Sequence, residues 1–132
     1  MKTFASVLAS AALLLSGATA ASAETPAERG EAQLARMLEG RTAGAPVSCI
    51  TTTRSNKMEV IDGVAVVYDA GKTIYVSRAT DPKSLGPWDV PVIERFGSQL
   101  CKTDIMRTVD RSGGFLSGIV FLNDFVPYTK AG

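Results

Sequence analysis

The amino-acid sequence predicts a mainly β fold: a small antiparallel β-barrel or curved sheet of about five to six strands with one N-terminal α-helix. From residue 47 onward, short runs rich in Val, Ile, Thr and Tyr alternate with turn sequences, which is typical of antiparallel sheets. Before residue 47, a single stretch carries apolar residues at helical spacing. The chain has two cysteines, and both lie in the β-rich part.

The predicted helix spans residues 26–39. Thr25 is placed to cap its start, Pro26 suits the first helical position, and Glu28 completes a capping box. Apolar side chains then recur at helical spacing until Gly40, a residue type that commonly follows the end of a helix. The resulting apolar stripe predicts a helix that packs on its own domain.

Turn sequences divide the rest of the chain into strands. Asp62-Gly63 predicts a tight hairpin with both residues at positive φ, and residues 69–72 predict a second turn. The strand between them, residues 64–68, is apolar on both faces, with Val64 and Val66 on the same face, which indicates a central buried strand of an antiparallel meander. The predicted strands are 47–50, 57–61, 64–68, 73–77, 92–96, 105–109 and 115–122.

The segment 81–91 contains several prolines and predicts a loop, because proline cannot donate a hydrogen bond to a sheet. Trp88 lies within it and is expected to fold back over the core. The strand at 92–96 is expected to be an edge strand. Near the end of the chain, Phe125 and Tyr128 are expected to anchor the terminus.

The first residues have the pattern of a cleavable secretory signal. Lys2 precedes an apolar run over residues 7–15, and Ala21-Ser22-Ala23 fits the A-x-A cleavage pattern. Cleavage after Ala20 and retention as an N-terminal anchor are the alternatives. The predicted organisation is a signal peptide of residues 1–23, an N-terminal helix and connector of residues 24–46, and a β-rich domain of residues 47–132.

The composition of the chain limits the cellular locations and the classes of partner that are expected. No apolar run after the signal approaches the roughly 20 residues that span a bilayer, so a periplasmic or secreted protein with no integral membrane segment is expected. The chain has 14 Lys and Arg against 13 Asp and Glu, and the loss of Lys2 balances the two signs. Balanced charge argues against nucleic-acid binding, which relies on a basic surface.

Cys49 and Cys101 predict a structural disulfide in an oxidising compartment. Their spacing lacks the C-x-x-C form of redox-active pairs, and two cysteines are too few for a closed zinc site. The chain has no histidine, which removes Ser-His-Asp and Cys-His nucleophile systems and His-containing zinc sites. No catalytic, cofactor-binding or metal site is predicted.

Acidic pairs remain as a route to glycoside hydrolysis, which uses two carboxylates with separated pKa values across a cleft. No motif distinguishes one pair, and structural or solvated roles are expected for all of them. The acidic residues considered are Glu59, Asp62, Glu94, Asp104, Asp110 and Asp124.

Three other groups have a possible binding use and a simpler structural one. An aromatic platform could be formed by Tyr68, Tyr75 and Trp88, but core packing is their simpler role. A polar pocket could be lined by Ser98 and Gln99, but a bend at Gly97 is the simpler interpretation. An anion could be held by Arg107 and Arg111, but a surface ion pair with Asp110 is simpler.

Several segments together resemble a family of small secreted proteins of Gram-negative bacteria for which no activity is established. The resemblance spans nearly all of the chain after the signal and includes both cysteines. It implies export and a compact domain, and it implies no catalytic role. The matching segments are Val47-Ser48-Cys49-Ile50, Ile61-Asp62-Gly63, Thr73-Ile74-Tyr75-Val76, Phe96-Gly97-Ser98-Gln99-Leu100-Cys101, Val109-Asp110-Arg111 and Phe125-Val126-Pro127-Tyr128.

The functional expectation is a non-enzymatic binding or interaction module of the cell envelope, with an envelope protein or a small ligand as partner. A carboxylate-dependent hydrolase of envelope polymers is the alternative. A third hypothesis is a structural envelope component that assembles through the exposed edge near residues 92–96.

Overall fold

The computed structural model describes residues 22–94 and 97–132. Within them the chain forms one α-helix, a 3₁₀ helix (Pro82–Ser84) and ten strands. These are α1 (Pro26–Met37), β1 (Arg41–Ala43), β2 (Cys49–Thr51), β3 (Lys57–Ile61), β4 (Ala65–Asp69), β5 (Thr73–Ala79), β6 (Asp89–Ile93), β7 (Gln99–Cys101), β8 (Met106–Asp110), β9 (Leu116–Val120) and β10 (Leu122–Lys130).

The strands form three antiparallel sheets, in the orders β1-β10-β5-β4-β3, β2-β7 and β6-β8-β9. The predicted fold class is therefore confirmed, and the meander of β3, β4 and β5 is formed as expected. The sheets are curved, and no closed barrel forms in this part of the chain.

The helix begins where the sequence predicts. The amide of Glu28 donates to Oγ1 of Thr25 (3.2 Å), and the amide of Thr25 donates to Oε2 of Glu28 (2.7 Å), so the capping box is complete. The helix ends at Met37, two residues earlier than predicted, and Gly40 follows at φ 73°. The predicted signal peptide lies almost entirely outside the described residues.

The central strand β4 separates two apolar clusters. Val66 and Tyr68 pack into the larger cluster, which also contains Phe125, whereas Ala65 and Val67 pack into a smaller cluster beneath α1. Burial of β4 on both faces is thus confirmed, because the chain covers one face with the helix and the other with strands. The larger cluster consists of Ile50, Val66, Tyr68, Ala79, Leu85, Leu100, Met106, Val120, Leu122 and Phe125.

The turn before β4 differs from the prediction. It takes three residues, with Ile61 opposite Ala65, and only Gly63 has positive φ (66°). Val64 therefore belongs to the turn and packs in the cluster beneath the helix, not beside Val66. The helix lies directly on this turn, since a Cβ at Gly30 would stand 2.5 Å from the carbonyl oxygen of Asp62.

Two strand assignments made from the sequence were wrong. The connector after the helix contains the edge strand β1, which pairs with β10. The single strand predicted over 115–122 is two strands, β9 and β10, which belong to different sheets. Phe125 was expected to anchor the terminus, and it is 1% exposed. It lies within β10 rather than at the end of the chain, since this strand continues to Lys130.

The proline-rich loop is also shorter than predicted. Strand β6 begins at Asp89 and includes Pro91, which is tolerated because β6 is the outer strand of its sheet. Trp88 is 59% exposed rather than folded over the core. The edge strand predicted over 92–96 is therefore shifted toward the N-terminus, and its predicted end at Phe96 lies outside the described residues.

The predicted disulfide is present. Cys49 on β2 and Cys101 on β7 face each other in register, and their sulfur atoms are 2.04 Å apart. The neighbouring Ile50 and Leu100 are buried in the larger cluster, so the two-stranded sheet is held to the domain by packing as well. Across residues 22–94 and 97–132, no helix is long and apolar enough to cross a membrane.

Candidate functional site

The three-stranded sheet presents one face to the interior and the other to solvent. Met106, Thr108 and Val120 point inward and are buried. The alternate positions point outward and align in cross-strand rows, as the registers of β6 with β8 and of β8 with β9 show. We call this surface the outer face; its residues are Val90, Val92, Arg107, Val109, Leu116 and Ile119.

A β-bulge places the last two of these residues side by side. Leu116 lies opposite Val109 and Ile119 lies opposite Arg107, although they are three positions apart on β9. Ser117 is the additional residue, because the register skips from Leu116 to Gly118. The bulge therefore turns a run that would alternate between the two faces into an apolar pair on one face.

Five of the six outer-face side chains are apolar, which is unusual for a solvent-facing sheet. Antiparallel sheets with one solvated face normally carry polar residues there. Leu116 is 62% exposed and Ile119 is 49% exposed. Phe121, which follows the inward-pointing Val120, is 69% exposed, and Ile105 is also exposed. Tertiary structure thus leaves a large apolar surface without cover.

The apolar area is at the upper end of what single-chain proteins show. From the exposed fractions of the outer-face aliphatic residues and of Phe121, the apolar surface on this side of the sheet is on the order of 500 Å². The largest patch on a monomeric protein is about 300–600 Å², and patches of that size are often binding sites. Single exposed apolar residues are common on protein surfaces, whereas apolar residues aligned on one sheet face indicate a binding site.

One ion pair lies within this surface. Arg107, in the middle of the outer face, donates a hydrogen bond from its guanidinium to the carboxylate of Glu94, which follows the end of β6. Both side chains remain accessible to solvent. The outer face therefore carries one positive charge and has one negative charge at its border.

The acidic residues considered from sequence have local partners. Glu59 pairs with Lys57 (2.7 Å), and Asp124 pairs with Lys102 (2.8 Å). Asp104 accepts a hydrogen bond from the amide of Cys101 (2.8 Å). Glu94 binds Arg107, Asp62 lies in the turn before β4, and Asp110 caps the turn after β8. These contacts agree with the structural roles expected for the acidic residues.

The pKa values of two of these groups shift away from what a general acid needs. Hydrogen bonds from the hydroxyl and amide of Ser112 lower the pKa of Asp110. A hydrogen bond from Lys102 lowers the pKa of Asp124. A glycosidase acid requires a raised pKa so that it keeps its proton near neutral pH. Neither group has that property.

The other predicted groups have structural surroundings. Tyr68 is buried, and its ring centroid lies 6.4 Å from that of Tyr75, in agreement with core packing. Trp88 directly precedes β6 and is 59% exposed, unlike the buried Tyr68. Ser98 and Gln99 are exposed at the start of β7, after a bend at Gly97 (φ 100°).

The ion pair predicted between Asp110 and its flanking arginines does not form. Arg107 points across the sheet to Glu94, because alternation along β8 places it on the outer face. Arg111 makes no ion pair within residues 22–94 and 97–132, and its amide donates to the carbonyl of Trp88 (2.8 Å). Asp110 instead accepts hydrogen bonds from the turn that follows it.

The depression beside α1 has a mixed lining. It has a volume of about 560 Å³ and is bordered by Arg29, Arg36 and Asp62, so both signs of charge are present. No group of three or more His, Cys, Asp or Glu side chains able to hold a metal ion occurs in the described part of the chain. These features do not converge on a reactive centre, and the outer face remains the most distinctive surface.

Sequence reasoning did not identify the outer face. The signal is present in the apolar residues of 115–122, but the sequence assigns them to one continuous strand and does not indicate which of its faces is exposed. No family model, curated protein or solved structure matches the chain significantly.

Proposed function

We propose that the chain is an exported, non-enzymatic binding module of the cell envelope and that the outer face is its binding surface. The observation that carries this proposal is the alignment of five apolar side chains on the solvent side of β6, β8 and β9. Burying that surface against a partner would remove apolar area from water, which is the main favourable term in most protein association.

The margins of the outer face have the composition of a binding surface. Phe121 and Trp88 are highly exposed aromatic side chains that lie two positions from Ile119 and Val90 and share their side of the sheet by alternation. Aromatic residues are enriched in protein interfaces, and tryptophan and tyrosine are frequent among the residues that contribute most to affinity. Arg107 adds a directional polar contact within the otherwise apolar surface.

Two features support export. The first residues have the pattern of a secretory signal, and the Cys49–Cys101 disulfide persists most readily in an oxidising compartment. The resemblance to secreted proteins of Gram-negative bacteria points the same way. The proposed location is the periplasm or the surrounding medium.

The test is capture from the cell envelope with three baits. The oxidised protein is compared with Ile119→Glu, which places a charge on the outer face, and with Ala35→Glu, which adds the same charge at an exposed position of α1. We expect the same bound species, whether an envelope component or an untagged copy of this chain, on the unaltered and Ala35→Glu baits and its loss on Ile119→Glu. Equal retention by all three baits, or no retention by any, would contradict the proposal.

A further inference from the structure

We infer that the partner of the outer face is a second copy of this chain, so that two protomers associate face to face about a two-fold axis. The inference rests on the proposed function, since it names the occupant of the same surface. Three observations carry it: the amount of apolar surface, the arrangement of charge, and the way both edges of the sheet are blocked.

The apolar area is that of a homodimer interface. A standard interface buries about 800 Å² on each partner, and homodimer interfaces are roughly 65% apolar. This requires about 500 Å² of apolar surface on each copy, which is what the outer-face aliphatic residues and Phe121 supply. A partner of the same chain needs no additional apolar area.

The charges on this surface complement themselves. In a two-fold interface the same surface meets its own copy, so every charge must find an opposite charge on that surface. Arg107 and Glu94 provide one charge of each sign. A second copy in two-fold arrangement brings its Glu94 toward Arg107 and its Arg107 toward Glu94. The chain after the predicted cleavage carries balanced charge overall, so long-range repulsion between copies is small.

The sheet edges disfavour the other simple mode of self-association. Strand addition requires an edge with regularly spaced backbone groups. On one side, β9 carries the bulge at Ser117, and on the other, β6 contains Pro91, which has no amide hydrogen. Two copies therefore meet through the face of the sheet, where aligned sheets pack about 10 Å apart with interdigitated side chains.

The first measurement is the molar mass in solution as a function of concentration. The full chain is expressed with export, purified in its oxidised form and studied by sedimentation velocity and light scattering. We expect the unaltered protein and Ala35→Glu to form dimers and Ile119→Glu to remain monomeric, with the melting temperature that the unaltered protein has when diluted to monomer. Dimers of Ile119→Glu with unaltered affinity would overturn the inference, because the contact would then lie elsewhere.

The second measurement tests the charge arrangement. Arg107→Glu leaves two acidic residues on this surface, and Glu94→Arg leaves two basic ones. Each variant alone is expected to dimerise at least about tenfold more weakly, since like charges then face each other across the axis. An equimolar mixture is expected to form heterodimers, detected with two different tags. Mixing cannot restore a contact within one chain, so failure of the mixture to associate would contradict the two-fold arrangement.

The outcomes separate this inference from the proposed function. A monomeric protein that still captures an envelope component in a manner sensitive to Ile119→Glu would overturn the dimer and leave the binding module in place. A monomeric protein that captures nothing through the outer face would overturn both. A dimer that depends on Ile119 and on the complementary charges would support both.

Discussion

The hydroxyl of Tyr68 organises a loop from within the core. Its side chain is 3% exposed on β4, and its oxygen accepts hydrogen bonds from the amide of Thr53 (2.8 Å) and from Nδ2 of Asn56 (2.9 Å). The loop between β2 and β3 thus obtains part of its order from one buried phenol. The sequence indicated burial of this residue, but the hydrogen bonds depend on how the loop returns over β4.

We expect Tyr68→Phe to lower the free energy of unfolding by about 1–2 kcal/mol, because the amide of Thr53 and the side-chain amide of Asn56 lose their acceptor. Tyr75→Phe is the matched control, since the hydroxyl of Tyr75 makes no hydrogen bond within residues 22–94 and 97–132. Urea denaturation measures both variants. A loss equal to that of the control would show that the hydroxyl of Tyr68 is not important for stability.

An ion pair between α1 and β5 contributes to the pH dependence of stability. The guanidinium of Arg78 donates hydrogen bonds to the carboxylate of Glu31 (2.5 and 3.2 Å), and this contact lowers the pKa of Glu31 below its usual 4.5. The folded state therefore binds the proton less readily than the unfolded state. The stabilisation is complete above pH 4.5 and is lost as the pH falls through the lowered pKa.

We expect Glu31→Gln to reduce the free energy of unfolding at neutral pH by up to about 1 kcal/mol, because both partners are about half exposed. The difference from the unaltered protein should vanish in acid. Urea denaturation at neutral and acidic pH measures it, with Glu39→Gln as a control that removes an exposed carboxylate on the residues following α1. A loss of the same size at both pH values would contradict the role of this ion pair.

Among the elements, the small sheet of β2 and β7 depends most on its covalent link. Each strand has three residues, and two-stranded sheets of this size are not stable alone in water. The disulfide joins two residues that are 52 positions apart, and packing of Ile50 and Leu100 adds to its effect. The sequence predicted this link correctly because it depends only on residue type and compartment.

We expect the double variant Cys49→Ser/Cys101→Ser to lose about 4 kcal/mol of unfolding free energy, from the larger chain entropy of its unfolded state. Reduction of the unaltered protein should lower its melting temperature by several degrees or more. The same reductant should leave the double variant unchanged, which serves as the control. An unchanged melting temperature of the unaltered protein after complete reduction would rule out a stabilising role.

Strand assignment succeeded where the signal was local and failed where it depended on distant partners. β3 coincides with its prediction because its bounding turn and alternation lie within a few residues. β1 has three residues of weak strand character and exists because Arg41–Ala43 meets Tyr128–Lys130. β10 contains Pro127, a residue type that disfavours the interior of a sheet, yet it has partners on both sides. Long-range pairing outweighs local preference in such cases.

At the scale of the whole molecule, the interior and the outer face serve different purposes. The larger apolar cluster packs around Phe125, with every one of its core members less than 10% exposed. The outer-face residues are not members of that cluster, and their side chains remain partly exposed to solvent. A surface that does not stabilise the fold is available for association.

We therefore expect Leu116→Thr/Ile119→Thr to change the free energy of unfolding by no more than about 0.5 kcal/mol per substitution at low protein concentration. Phe125→Ala should cost about 3–5 kcal/mol, since it removes a buried aromatic side chain. Thermal unfolding of dilute samples compares the two. A loss in the threonine variant as large as that of Phe125→Ala would show that the outer face belongs to the core.

The sequence by itself determined the class of fold, the capped helix, the buried central strand and the cysteine pair, since these depend on residue type and on periodicities within a few residues. Tertiary structure decided that β9 and β10 belong to different sheets, that Trp88 is exposed and that Arg107 pairs with Glu94. It also decided which apolar strand faces are packed against other elements and which are exposed to solvent. The physical reason is that burial of a strand face depends on elements distant in sequence, whereas alternation states only which residues share that face.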